Sequence, residues 1–92
     1  MARYRHDSNQ VEIVSALRQA GATVAILSNV GGGVSDLLIG WQGINLLLEV
    51  KNLEGRGSVL TPAERDFIDT WRGQVAVVKN IDGGALVLLN QF

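Results

Sequence analysis

Cysteine is absent from the 92 residues, and histidine occurs once, as His6. The first absence excludes disulfides and thiolate metal sites, and the second leaves no imidazole set from which to build a zinc site. An excess of either charge is missing too. Nine acidic residues face eight basic ones, for a formal net charge of −1, which argues against a chain that grips nucleic acid by bulk positive charge. A divalent cation held by several of the acids would reverse that balance locally, since an ion is often the largest charge in its site. No apolar run approaches the roughly 20 residues that span a bilayer. The opening "MARYRHDSNQ" is basic with no apolar segment behind it, so neither a membrane span nor a signal peptide is expected, and the expected location is cytoplasmic.

What the chain does contain is core. Hydrophobic residues make up 47% and charged residues 18%, the composition of one globular domain over residues 1–92. A chain of this length buries roughly 60 to 65% of its unfolded surface, so support from a second copy is a natural expectation. Repeats, low-complexity tracts and linkers are lacking.

The apolar spacing of Ile13, Val14, Leu17 and Ala20 predicts a helix over 9–20, with Asp7 and Gln10 as a capping box and Gly21 as the stop. "TVAILS" (23–28) reads as a strand and "NVGGG" (29–33) as a turn. "VSDLLIG" (34–40) and "INLLLEVK" (44–51) read as an antiparallel hairpin joined by "WQG". The polar loop "NLEGRGS" leads to Thr61 as N-cap, Pro62 at the first helical position and Glu64 closing a capping box. The helix that follows, about 11 residues long, is expected to bury Ala63, Phe67, Ile68 and Trp71. "QVAVVKN" (74–80) and "GALVLLN" (84–90) complete an αβββαββ order, an α/β fold with a mixed central sheet flanked by helices.

One feature resists a purely structural account. The apolar run "LLLEVK" carries Glu49 and Lys51 on one face of its strand. In a hairpin around "WQG", opposite residues sum to 84 or 85, which makes Asp36 a direct neighbour of Glu49. Facing carboxylates repel unless something positive lies between them. Mg²⁺ suits such a place, because it takes oxygen ligands from one or two carboxylates and keeps waters or substrate phosphates for the rest. Asp36 and Glu49 are the candidate ligands, with the Val50 backbone carbonyl as a third. A lysine at Lys51 can orient or deprotonate a metal-activated water, or stabilise charge building on phosphorus. The chemistry expected is phosphodiester hydrolysis, with Mn²⁺ able to replace Mg²⁺. Taken alone, an E-x-K at a strand end is more often a solvated face or a simple ion pair. The aspartate in register, the glycine-rich turn before it and the apolar strands around both favour the chemical reading.

"GGGVSDLLIG", "LLLEVK" and "LTPAERDF", in that order, resemble the PD-(D/E)-x-K nuclease superfamily. The likeness is to its small stand-alone VRR-NUC type domains, often found in phages, and more distantly to archaeal Holliday-junction resolvases. The resemblance implies a minimal restriction-endonuclease-like fold and a DNA endonuclease with Asp36 and Glu49 as metal ligands and Lys51 as catalytic lysine. It also implies action on branched, flap or junction DNA, a homodimer, and the cytoplasm of a bacterial or phage-infected cell. Ser35 stands where the family often has proline, and Glu64 where a glutamine in the second helix often contacts substrate. The family's helix-one acid maps to Glu12, with Gln10 as the rival position. Arg3, Arg5 and His6 form a basic arm over residues 1–8, and Arg56 follows the E-x-K strand; each is either a phosphate contact or a solvated segment. Trp41 at the hairpin tip is expected to stack on a base or pack on a second subunit. A catalytically silent nucleic-acid-binding or oligomerisation module of the same fold is the alternative.

Overall fold

The computed structural model describes residues 5–52, 55 and 58–79, with side chains from Gln10 onward. Over these residues the chain is a small α/β domain with two helices and a four-stranded mixed sheet. Its elements are α1 (Arg5–Gln19), β1 (Thr23–Ile26), β2 (Leu37–Trp41), β3 (Ile44–Val50), α2 (Pro62–Thr70) and β4 (Val75–Val78). The strand expected at 84–90 lies outside the described residues.

The first helix places Ile13, Val14 and Leu17 against the sheet, all buried. Its start differs from expectation. The helical backbone runs from Arg5, so Asp7 is inside the first turns rather than at the N-cap. The other end is a Schellman stop: Gly21, at φ +103°, donates to Arg18, and Ala22 donates to Leu17 at 3.0 Å. Leu17 and Ala22 then meet in the core, while Ala20, already past the last helical residue, is exposed.

The strands lie in the order β1-β2-β3-β4, the first three antiparallel and β4 parallel to β3. The β2–β3 connection is tighter than expected. Trp41 is the last residue of β2, and the turn is Gln42–Gly43 alone, at φ +47° and +84°, the signs of a type I′ hairpin. This turn fixes the register that pairs Leu37 with Leu48 and Ile39 with Leu46. Those four pack with α1, Ala22 and Val78 as the main core, and Trp41 leans on the same cluster. It is therefore a packing residue and not an exposed tip.

Successive strand residues alternate faces, so Leu47 and Glu49 point away from the α1 side. The crossover from β3 to β4 passes through α2, whose first turn lies against the glycine loop: a Cβ on Gly33 would stand 2.3 Å from the Ala63 carbonyl oxygen. Only glycine permits that approach at φ +82°. Helix two is capped as the sequence predicts, with Thr61 and Glu64 exchanging side-chain and backbone bonds. Its burial differs. No residue of α2 is fully buried, Ala63 is exposed, Phe67 and Ile68 are half-buried, and Trp71 is 45% exposed. The helix ends at Thr70, so Trp71 falls beyond the stripe, stacked on Phe67 instead of inserted under the sheet. Among the described residues no helix is long and apolar enough to cross a membrane.

Candidate active site

The β2–β3 ladder ends at Leu37–Leu48, and Asp36 is the residue just before β2 rather than within it. That ending explains its side chain. Val50 N–H points toward the space where a longer β2 would offer a carbonyl, and Asp36 Oδ2 accepts it at 2.8 Å. Its main chain serves the other side, accepting from Leu27 N–H at 2.7 Å. In a strand the N–H and C=O of one residue share an edge, so the Val50 carbonyl faces the Asp36 side as well.

One position back, Glu49 extends the same register opposite Asp36 but on the face away from α1. The residue is 1% exposed, and its Oε1 has no hydrogen-bond partner among the described residues. Its other oxygen lies 3.6 Å from Lys51 Nζ. Burial, and then the negative charges of Asp36 and Glu64, push the Glu49 carboxyl up to about 8, so it holds a proton at neutral pH.

Lys51, 9% exposed, crosses from the end of β3 to α2, where its Nζ meets Glu64 Oε1 at 2.8 Å. Burial works against its charge, but the hydrogen bond and charge of Glu64, aided by Glu49 and Asp36, outweigh burial and hold the ammonium above its usual value. Burial likewise opposes the charge on Glu64. The bonds from Lys51 and from the Thr61 backbone prevail and hold its carboxyl below the usual range. The same Oε1 accepts from Thr61 N–H at 2.9 Å, so one oxygen closes the capping box and anchors the lysine.

The four side chains Asp36, Glu49, Lys51 and Glu64 therefore meet at one end of the sheet. Sequence reasoning placed the first three together but gave Glu64 to substrate. The missed signal is topological: a helix crossing back from β3 must start near the end where β3 stops, so an N3 glutamate faces residue 51. Gln10 joins the neighbourhood indirectly, donating to Ser28 at 3.2 Å, one residue from the Leu27–Asp36 bond. Glu12 is exposed and lines a shallow groove with Val11, Ser15, Ala16 and Gln19 on the outer side of α1. It is not brought to the cluster. Arg3 and Arg56 lie outside the described residues; Arg5 and His6 fall in the first turn of α1, and their side chains are outside the description.

Among the described residues no group of three or more His, Cys, Asp or Glu side chains is arranged to hold a metal ion. Two carboxylates suffice for Mg²⁺ that keeps its waters. The orphaned Glu49 Oε1 is the observation that tests the fit. The neutral form of Glu49 has Glu64 and Asp36 as hydrogen-bond neighbours, whereas the ionised form among those carboxylates is the one that a hard cation would fit. Comparison with known proteins adds nothing here, since no family model, curated protein or solved structure matches the chain.

Proposed function

We propose that the chain is a Mg²⁺-dependent DNA endonuclease of the PD-(D/E)-x-K kind, with a restriction-endonuclease-like fold, acting as a homodimer on branched, flap or junction DNA. The observation that carries the chemistry is the buried Glu49 carboxyl with one unpartnered oxygen, set between Asp36 and Lys51. Asp36 and Glu49 would hold the ion, with the Val50 carbonyl on the Asp36 side available to it. Bound there, Mg²⁺ supplies neutralising charge for phosphate oxygens and an acidified water.

The protein's own groups divide the remaining work. Asp36 spends Oδ2 on Val50 N–H, which fixes its carboxylate relative to β3. Lys51, kept charged and aimed by Glu64, acts as a cation toward the phosphate and the charge that develops on its oxygens, not as the base that takes a proton from water. Glu64 has no proton to donate while it remains a carboxylate, so it serves the lysine and not the substrate phosphate.

The test is incubation of labelled linear, flap and four-way-junction DNAs with Mg²⁺ or Mn²⁺, comparing the wild type with Lys51→Ala and Asp36→Asn. Cleavage by the wild type and loss of roughly 10²-fold or more in each variant are expected, the usual effect of removing one preorganised charge. Equal cutting by all three, or none by the wild type with either metal, refutes the proposal. DNA binding without cutting marks the silent module.

A further inference from the structure

The two tryptophans exchange the roles that sequence spacing gives them. Trp41 is partly buried against the core, with its ring 3.5 Å from where a Gly21 Cβ would stand. Trp71 is the open one. Its ring stacks on Phe67 with centroids 5.1 Å apart and an interplanar angle of 24°, and its Nε1 edge lies against Gly73, where a Cβ would approach to 2.9 Å. A ring with one face covered, one edge fixed and 45% of the residue exposed offers its second face to solvent in a set orientation.

Position gives that face a partner. Trp71 is the C-cap of the helix whose first turn carries the Lys51 anchor, seven residues beyond Glu64. Seven residues of helix rise about 10 Å, close to three stacked nucleotides at roughly 3.4 Å each. The exposed Arg72 directly follows Trp71 in the chain, a positive charge suited to a phosphate. We infer that Trp71 is a stacking platform for an unpaired base, about three nucleotides from the phosphate at the Asp36–Glu49–Lys51 cluster. The inference rests on the nuclease reading for the location of that phosphate. It assigns a physical source for preference toward flaps and junctions, where bases near the cut are free to leave the duplex, because stacking on an aromatic face requires an unpaired base.

The experiment measures binding separately from cleavage. Anisotropy of a labelled oligo-dT strand is recorded with Ca²⁺ replacing Mg²⁺, for the wild type, Trp71→Phe and Trp71→Ala, and repeated with an abasic strand of equal length. Trp71→Ala is expected to weaken oligo-dT binding by roughly 5- to 100-fold, Trp71→Phe to retain most of it, and the abasic strand to bind wild type and Trp71→Ala alike. In a Trp41→Phe background, which leaves Trp71 as the sole tryptophan, its emission is quenched by oligo-dT and not by the abasic strand. Equal oligo-dT affinity of wild type and Trp71→Ala overturns the inference, as does an equal loss on the abasic strand. A change of oligomeric state without a change in DNA affinity also overturns it and makes Trp71 a contact between copies. Trp71-dependent binding without any cleavage in Mg²⁺ overturns the nuclease reading alone; cleavage with Trp71-independent binding overturns this one alone.

Discussion

Replacing Glu49 by glutamine is expected to stabilise the metal-free protein, and by an amount that depends on pH. The wild-type carboxyl is raised from its ordinary 4.5 to about 8 by burial and by Asp36 and Glu64. The folded state thus binds the proton more tightly than the unfolded one. The stability that follows is fully present below about 4.5 and is lost as pH rises toward 8. Each pH unit in that window costs about 1.4 kcal/mol, so the wild type gives up about 3 kcal/mol by pH 7 and about 5 above pH 8. A domain of this length has about 5 to 14 kcal/mol in total, which puts the metal-free protein near unfolding at alkaline pH. Glutamine copies the protonated form's size and neutrality and cannot ionise. Lys51 and Glu64 are present in both proteins, so to first order their contributions cancel in the difference. Urea unfolding of both proteins from pH 4.5 to 9, without divalent metal, should show the stability difference widening in favour of Glu49→Gln along that slope. Mg²⁺ at 100 times its Kd should then return about 2.7 kcal/mol to the wild type alone. A difference that stays flat with pH refutes the reasoning, because it would mean that Glu49 ionises freely at the sheet end.

Two other perturbations probe the frame around the cluster. Gly33→Ala must fit a Cβ 2.3 Å from the Ala63 carbonyl at φ +82° and should cost about 2 to 4 kcal/mol in urea unfolding, whereas Gly43→Ala, at φ +84° with nothing within 4 Å, should cost only about 1 to 2. Equal costs would show that α2 does not press on the glycine loop. Glu64→Ala removes both the capping bond and the Lys51 anchor, while Thr61→Ala removes only the reciprocal cap, worth about 1 kcal/mol. The first should therefore exceed the second by about 1 to 3 kcal/mol in thermal or urea unfolding at pH 7, with Glu64→Gln between wild type and Glu64→Ala; matching costs would show that the lysine bond adds nothing.

What could be read from the sequence followed from local rules. The Asp36–Glu49 register was legible because a short turn leaves a hairpin little freedom, and shrinking "WQG" to Gln42–Gly43 kept the sum of 85. Thr61, Pro62 and Glu64 were legible as a helix start because capping is decided within four residues. The misreadings share a cause. Trp71 has helical spacing from Phe67 and Ile68, but spacing names a side of a helix and not what covers that side; here the half-buried stripe ends before the tryptophan. Trp41 seemed exposed because it adjoins a turn, yet as the last strand residue it faces the core side of β2. Glu12 seemed a ligand because it is charged, and charge does not rotate a helix: Gln10 is the residue on the side that meets the strap before Asp36.

Glu64 shows why the cluster is more than a strand meeting solvent. A structural ion pair for Lys51 needs one carboxylate, and Glu64 supplies it at 2.8 Å while closing its own helix. Glu49 is then surplus to the pairing: it is farther from the ammonium, buried, protonated and short of a partner for one oxygen. An apolar residue there would continue the run of Leu46, Leu47 and Leu48 without the cost of burying a carboxyl. Asp36 can be explained structurally, since it completes the ladder at Val50. Glu49 completes no ladder bond of that kind, and under the proposed reading a bound cation would offset the cost of ionising its buried carboxyl. The residue that folding explains least is therefore the one on which the functional reading most depends.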